Sequence, residues 1–421
     1  MKRLTSMTLT LLAAALVLSG GTIVDVSHSG KTTADVRDAV VVIRDGRIVA
    51  AGPRKKIAIP ADARVIPIDG AYIVSGLNDV FAGLNSQSQA NAYLYMGVTS
   101  IVGSDEPGGR RGALLTTAKP APRIRLLGAV RSPEQVDDVA AQGAKVLLLL
   151  YPLTAEQTRY AVKKARALGL PTIGELGHTT YTEAMDAGVD AFVHASRYTL
   201  ELATPEMRSA VADAPFGPPR TAFYQFLAAL DPDSPAVANW AKRLSQSRVA
   251  LIPTLSIYYL DLPKHGNPWK EEIAEILDPK DVHLPADRET GQAQKGPGIP
   301  AGLSENVLRI EERNRRAGAR YLAGSGTSAF GTLPGISLHG ELKMLTDLGL
   351  TPRQALAAAT GNVGEVFRWP TVGKIAKGYD ADVVVVDADP TVDISNLKKI
   401  RMVILNGEIV DRAAIIKRHL E

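Results

Sequence analysis

The stretch Ala144-Lys-Val-Leu-Leu-Leu-Leu-Tyr151, followed by a helical pattern over 154–168, Gly169 and then Pro171-Thr-Ile-Gly-Glu175, decides the fold. An apolar run of this kind, bounded by turn residues, reads as a strand buried on both faces. Thr154 supplies a helix cap and Gly169 follows the helix end, so the segment reads strand–helix–strand. Outward from it the alternation repeats, with strand candidates at 76–84, 98–103, 123–128, 191–194, 250–255 and 321–325. Together these make eight, the number that a closed (β/α)₈ barrel needs. The Pro- and Asp-rich stretches 200–247 and 261–304 then fall after the sixth and seventh strands, on the face where such barrels carry their functional loops.

The two chain ends have a different texture. Short β-branched runs occur at 22–26, 40–52 and 64–68, and again at 381–387 and 400–410. Asp45-Gly46 and Asn406-Gly407 sit between such runs as hairpin turns. The expected organisation is a leader over 1–15, a composite β-sandwich from 16–74 plus 366–421, and the barrel over 75–365. A length of 421 residues accommodates one barrel and one smaller partner.

Composition removes several function classes. With 45% hydrophobic and 22% charged residues and a net charge of +4, the chain reads as globular, and no basic stripe interleaved with aromatics points to nucleic acid. The absence of cysteine excludes disulfides, thiolate metal ligands and a cysteine nucleophile. Lys2 and Arg3 precede an apolar run over 9–18 containing Ala13-Ala14-Ala15, the layout of a secretory signal, so a periplasmic or secreted protein is expected. The alternative is a cytoplasmic protein in which 16–25 is the first strand of the fold; both readings of the segment hold if cleavage falls near Ala15. That run is short for a membrane span and no later stretch reaches about 18 uninterrupted apolar residues, so no integral membrane domain is expected.

The segments Val42-Ile-Arg-Asp-Gly-Arg-Ile48 and Val372-Gly-Lys-Ile-Ala-Lys-Gly-Tyr-Asp-Ala-Asp-Val-Val-Val-Val-Asp387, with Asp389-Pro390, resemble the amidohydrolase superfamily in its imidazolonepropionase-like and prolidase-like branch. Gly97-Val-Thr-Ser100, Ala187-Gly-Val-Asp190, Pro253-Thr-Leu-Ser256, Glu341-Leu-Lys-Met-Leu345 and Ala357-Ala-Ala-Thr-Gly-Asn362 also look like segments of that family, in order along the chain. The resemblance implies hydrolysis of a carbon–nitrogen bond, with one or two divalent metals at the barrel mouth generating the hydroxide that attacks an amide or ester. It further implies a metal-ligand set: a His-x-His pair after strand one, a carboxylated Lys or Glu on strand four, single histidines on strands five and six, and an Asp on strand eight.

Carried over position by position, that set is mostly absent. Ser75-Gly-Leu-Asn-Asp-Val-Phe-Ala-Gly-Leu84 puts Phe81 and Gly83 at the two strand-one histidine places. Leu148 stands at the strand-four place, with Lys145 on the opposite face by strand alternation. Strand five offers Glu175, or Gly174 if the register is taken from the following helix. Strand eight, Ala323-Gly-Ser-Gly326, offers Gly326. Only His194 of Ala191-Phe-Val-His194 keeps the family's residue, as a remnant metal ligand.

His194, Glu175 and His178 are therefore the candidate catalytic residues. They form either an acid/base set or a sparse metal site that would take zinc or manganese if rescued by neighbours. His194 alone also reads as an ordinary neutral histidine satisfied by hydrogen bonds. Ser325, Thr327 and Ser328 surround the lost Asp, where a serine would need His194 as its base and otherwise supplies plain loop hydroxyls. His339 reads as a surface or helix-start residue. His265 and His283, with Trp269, Tyr258 and Tyr259, either line a substrate pocket or lie exposed in the strand-seven insertion; His28 and His419 carry no catalytic expectation. No cofactor-binding motif is present.

Three functions remain open: a degenerate barrel that binds a small-molecule amide or peptide-like ligand or a partner, as a pseudoenzyme in a homo- or hetero-oligomer; a metal-dependent amidohydrolase working through substitute ligands; and a metal-free hydrolase using Glu175, His178 and His194. No cofactor is expected for the first and third.

Overall fold

β-Branched runs at both chain ends pair into a single mixed sheet. The computed structural model describes residues 14–104, 115–262, 265–278, 281, 287, 289–291, 299–327, 329 and 331–417. The N-terminal strands are β1 (Leu16–Ile23), β2 (Val36–Arg44), β3 (Arg47–Pro53), β4 (Arg64–Pro67) and β5 (Tyr72–Ser75). Next come β6 (Leu77–Ala82), β7 (Val98–Ser104), β8 (Arg123–Val130) and β9 (Val146–Leu150). They are followed by β10 (Thr172–Glu175), β11 (Ala191–Val193), β12 (Ala250–Ile252) and β13 (Arg320–Tyr321). The C-terminal strands are β14 (Val383–Val386), β15 (Ile400–Leu405) and β16 (Glu408–Ile409).

The terminal sheet runs β16-β15-β14-β5-β1-β2-β3, with β4 also paired to β1. Antiparallel pairing of β14 with β5, from Val383 opposite Ser75 to Val386 opposite Tyr72, joins the two chain ends. Leu18, Val41, Ile43, Ile73, Val383 and Ile404 form its core. β1 is internal to the sheet, and the buried Ala15 just before it accepts a 2.8 Å hydrogen bond from the Arg64 N–H. Of the expected leader, residues 1–13 lie outside the described residues.

Both hairpin turns have the predicted chemistry. Asp45 (φ 51°) with Gly46 (φ 71°), and Asn406 (φ 52°) with Gly407 (φ 83°), place two consecutive residues in the left-handed region, the backbone that matches the twist of adjoining strands.

β6 to β13 form a second, parallel sheet in strict chain order. Two backbone hydrogen bonds close it into a ring: Val80 N–H to the Ala323 carbonyl at 3.1 Å and Gly326 N–H to the Phe81 carbonyl at 2.8 Å. Strand alternation explains the unbroken apolar runs, because each strand faces apolar neighbours on both sides. On β9, Val146, Leu148 and Leu150 fill the barrel interior with Val80, Phe81 and Ile173. Leu147 and Leu149 point outward to the helices. Those helices begin where the sequence signals them: Thr154 and Thr180 each form a capping box, with Gln157 and Glu183 respectively, and Gly188 ends its helix at φ 85°.

The insertion after β11 is more regular than its composition suggested. Pro205, Pro218 and Pro235 start three helices, Pro205–Asp213, Pro218–Ala229 and Pro235–Gln246, rather than interrupting them. Proline is tolerated in a first turn, where its missing N–H has no intrahelical partner to lose. Among the described residues no helix is long and apolar enough to cross a membrane.

The tips of the two hairpins touch. A Cβ added at Gly46 would lie 2.5 Å from Asn406 Oδ1, an atom held at 3.0 Å by the Arg123 guanidinium. Gly46→Ala is therefore expected to lower stability by about 1–2 kcal/mol, from the left-handed backbone and the displaced amide together. Urea unfolding reads this directly, and an unchanged midpoint would contradict the turn assignment.

Candidate functional site

The barrel interior carries an apolar column up to its mouth. Phe81, 2% exposed near the end of β6, is part of it, and its ring meets the His194 imidazole edge-on, with centroids 4.8 Å apart and planes at 84°. The strand-one position thus holds an aromatic wedge against the one retained histidine. Gly83 uses its carbonyl to accept from the Tyr93 hydroxyl at 2.9 Å. Leu148 is buried inside the barrel and Lys145 is exposed outside it, as strand alternation predicts.

The strand-five register resolves in favour of Glu175. Ile173 belongs to the interior, while a Cβ on Gly174 would meet Leu176 and Phe192 at 3.1–3.2 Å on the outer face. Glu175 consequently faces inward at the end of β10.

His194 follows β11 with φ 65°, and Thr254 follows β12 with φ 52°. Positive φ is uncommon for histidine and an outlier for a β-branched threonine, so both strand ends carry backbone strain. The two side chains meet: His194 Nδ1 lies 2.8 Å from Thr254 Oγ1, which donates its own hydrogen to the Pro253 carbonyl at 2.7 Å. With that hydroxyl hydrogen committed, Nδ1 is the donor of this bond.

Glu175 belongs to a different network. Tyr151 donates its hydroxyl to Glu175 Oε1, and Arg197 Nε lies 3.5 Å from the same oxygen. Arg197 is 5% exposed, stacks 5.2 Å from the Tyr151 centroid and 5.7 Å from that of Phe216, and reaches the Pro215 carbonyl with both terminal nitrogens at 3.4 Å. Burial opposes the Arg197 charge, but the oxygens of Tyr151, Tyr224 and Glu175 outweigh it and raise its pKa. Burial pushes the Tyr151 phenol well above its usual range; Arg197 opposes this and Glu175 adds to it.

His178 stands beside this network and faces outward. Its backbone N–H donates to the Tyr151 carbonyl at 3.1 Å, and its Nε2 pairs with Asp213 Oδ1 at 3.0 Å, with the histidine one-third exposed. The three predicted residues thus share one end of the barrel but engage separate partners: Thr254 for His194, Tyr151 and Arg197 for Glu175, Asp213 for His178.

At strand eight, Gly326 (φ 66°), the place to which the resemblance assigns an Asp, is left-handed, and a Cβ there would meet Ile257 at 2.7 Å. Ser325 and Thr327 are fully buried and bond to each other at 2.5 Å, so they form a hydroxyl pair within the loop. Ser328 lies outside the described residues, as do His283 and His419. His265 bonds the Gly266 carbonyl at 2.8 Å and packs on Tyr259, with ring centroids 5.8 Å apart; His28 is exposed.

Sequence reasoning missed two buried carboxylates beneath the mouth. Asp79 accepts from the Ser325 N–H at 2.8 Å, and Glu341 accepts from the Ser256 N–H at 2.8 Å, while Ser256 Oγ donates to the Ser325 carbonyl at 2.7 Å. Both carboxylates are fully buried. The available signal was the family-like segment beginning at Glu341, read only as a landmark. His339 is also corrected: it does lie near the start of helix Ile336–Asp347, but it is buried and donates Nε2–H to the Met96 carbonyl at 2.8 Å.

The donor set does not fit the metal centre that the resemblance implies. Phe81, Leu148 and Gly326 offer no donor, and Glu175 is already balanced by Arg197. Among the described residues no group of three or more His, Cys, Asp or Glu side chains is placed to hold a metal ion.

Two buried groups make the stability pH-dependent in opposite directions. Burial, opposed by the Met96 carbonyl, pushes His339 down to about 4. A depressed histidine gives stability that is present above its unfolded value near 6.5 and lost as pH falls toward about 4, on the order of 3 kcal/mol. His339→Gln is expected to flatten that acid limb in thermal unfolding. Burial, with the Asp79 charge adding to it, holds Glu341 well above the carboxylate range, so its contribution is present at low pH and lost as pH rises through the folded pKa. Glu341→Gln should gain stability relative to the parent as pH increases; a constant difference across pH would contradict the neutral assignment.

A family model described as "Amidohydrolase family" matches residues 227–410. The adenine deaminase of Geobacillus kaustophilus (strain HTA426) is 37% identical over 75 residues, which is 18% of this chain and 13% of that protein. Among solved structures, bottromycin amidohydrolase superposes with a TM-score of 0.68 at 19% identity, covering 96% of this chain and 88% of that one. A Bifidobacterium longum protein assigned as a prolidase gives 0.61 at 20% identity, with coverages of 97% and 100%. A Xaa-Pro dipeptidase with bound methionine gives 0.60 at 14% identity, with coverages of 94% and 100%. At these identities the structures speak for the fold, and the sequence similarity to the amidohydrolase family lies over residues 227–410.

Proposed function

We propose that this chain uses an amidohydrolase barrel to bind a small amide or peptide-like ligand without metal-dependent hydrolysis. The observation that carries the reading is the Phe81 ring packed edge-on against His194, which puts hydrocarbon where two metal-binding imidazoles would converge. Leucine at 148 and glycine at 326 act in the same direction, since neither offers a metal donor. A hydroxide-generating centre needs at least three protein ligands and an open position. The scaffold is retained independently of that chemistry, since fold and activity separate in this class of barrel. The leader-like N-terminus favours a periplasmic or secreted setting for this binding role.

A second reading has its own support. The positive φ of His194 and Thr254, which orients the imidazole through Thr254 Oγ1, is the kind of strain that clusters at working sites. It favours a metal-free hydrolase in which His194 Nε2 accepts a proton and Glu175 and His178 assist.

Metal analysis of the purified full chain, paired with hydrolysis assays on dipeptides and cyclic amides with added zinc or manganese, separates these readings. Substoichiometric metal and no turnover are expected. Turnover that survives chelators and disappears in His194→Ala would establish the second reading. Stoichiometric metal, with turnover lost on chelation, would overturn both.

A further inference from the structure

The turn at His194 sends the chain into the short helix Ala195–Tyr198, whose Arg197 N–H bonds back to the His194 carbonyl at 2.7 Å. This places a guanidinium directly beside the mouth, three residues after the retained histidine. Its surroundings are complementary on every side. Glu175 supplies a carboxylate oxygen 3.5 Å from Nε, the Pro215 carbonyl accepts from both terminal nitrogens at 3.4 Å, and the rings of Tyr151 and Phe216 lie within cation–π range at 5.2 and 5.7 Å. A planar, always-charged group with five donors suits such a setting better than an ammonium.

We propose that Glu175, Tyr151, Phe216 and the Pro215 carbonyl form a guanidinium cage filled in cis by Arg197, so that the chain's own side chain supplies the positive charge that Glu175 would otherwise take from a metal. The physical need is plain. Glu175 is 9% exposed at the end of a buried strand, and an uncompensated buried carboxylate is costly. Arg197 meets that need without a metal and at any pH at which the protein folds. It also ties the insertion to the mouth, because Pro215 and Phe216 belong to the turn between helices Pro205–Asp213 and Pro218–Ala229. The cage rests on the reading of the mouth as metal-free.

The test is chemical rescue. Arg197→Ala in the full chain empties the cage, and thermal unfolding is followed with increasing methylguanidinium chloride against methylammonium chloride at matched ionic strength. The expected result is a lowered Tm in Arg197→Ala that methylguanidinium restores saturably for the most part, that methylammonium does not restore, and that is lost when Glu175→Gln is added. The parent should not respond in this way. Absence of rescue, equal rescue by both cations, or rescue that survives Glu175→Gln would overturn the cage. Should Arg197→Ala not fold, Arg197→Lys, Glu175→Gln and their combination complete a cycle; strongly non-additive Tm shifts support the cage and additive shifts overturn it. Metal content measured on the same preparations keeps the two ideas apart. Failed rescue in a metal-free protein sinks the cage alone, whereas stoichiometric metal in the parent sinks the reading on which it rests.

Discussion

Closure of the barrel between its first and eighth strands governs the rest of this structure. A parallel sheet left open would expose the unpaired backbone of β6 on one edge and of β13 on the other. Closure is made by Val80 N–H to Ala323 and by Gly326 N–H to Phe81, and it depends on the small residues opposite β6. A Cβ at Gly324 would lie 2.7 Å from Ile252 and 3.0 Å from the Phe81 Cβ, and one at Gly326 would press on Ile257. Gly326, which makes one of the two closing bonds, and Gly324 beside it are thus positions where a side chain would need its neighbours to shift.

The mouth follows from the closure. With Phe81 held inward against His194, the side of the site built by β6 is apolar, and polar character moves round the ring toward β10 and the insertion after β11. There a carboxylate, a phenol and a guanidinium satisfy one another under cover of Phe216. Asp79 and Glu341 lie deeper, tied to Ser325 and Ser256. Glu341 is satisfied on Oε2 alone, its Oε1 being buried without a hydrogen-bond partner among the described residues, in keeping with a carboxyl that burial holds protonated.

Much of the fold was legible because it rests on local rules. The apolar runs at 146–150 and 172–175, the caps at Thr154 and Thr180 and the turns at Asp45-Gly46 and Asn406-Gly407 are short-range signals, and each element appears where it was expected. Prolines 205, 218 and 235 misled because the same residue breaks a helix interior and starts a helix, and the Thr204 and Ser234 caps before two of them were the distinguishing signal. His339 misled because a helix start can be buried when the next layer covers it. At Glu175 the sequence allowed two registers, and the outward packing of Gly174 against Phe192 chose between them.

What the sequence alone determined was the list of side chains available to the site: Phe81, Gly83, Leu148 and Gly326 at four places where the resemblance puts metal donors, Glu175 or Gly174 at a fifth and His194 at a sixth. That follows from chemical identity, since no packing turns phenylalanine into a ligand. What only the tertiary structure decided was how the remaining polar groups are shared. His194 to Thr254, His178 to Asp213, Glu175 to Tyr151 and Arg197, Asp79 to Ser325 and Glu341 to Ser256 are pairings set largely by strand order around a closed ring, joining residues far apart along the chain. Hydrogen bonds and buried charges depend on distances of a few ångströms between segments, and those distances exist only once the barrel has closed.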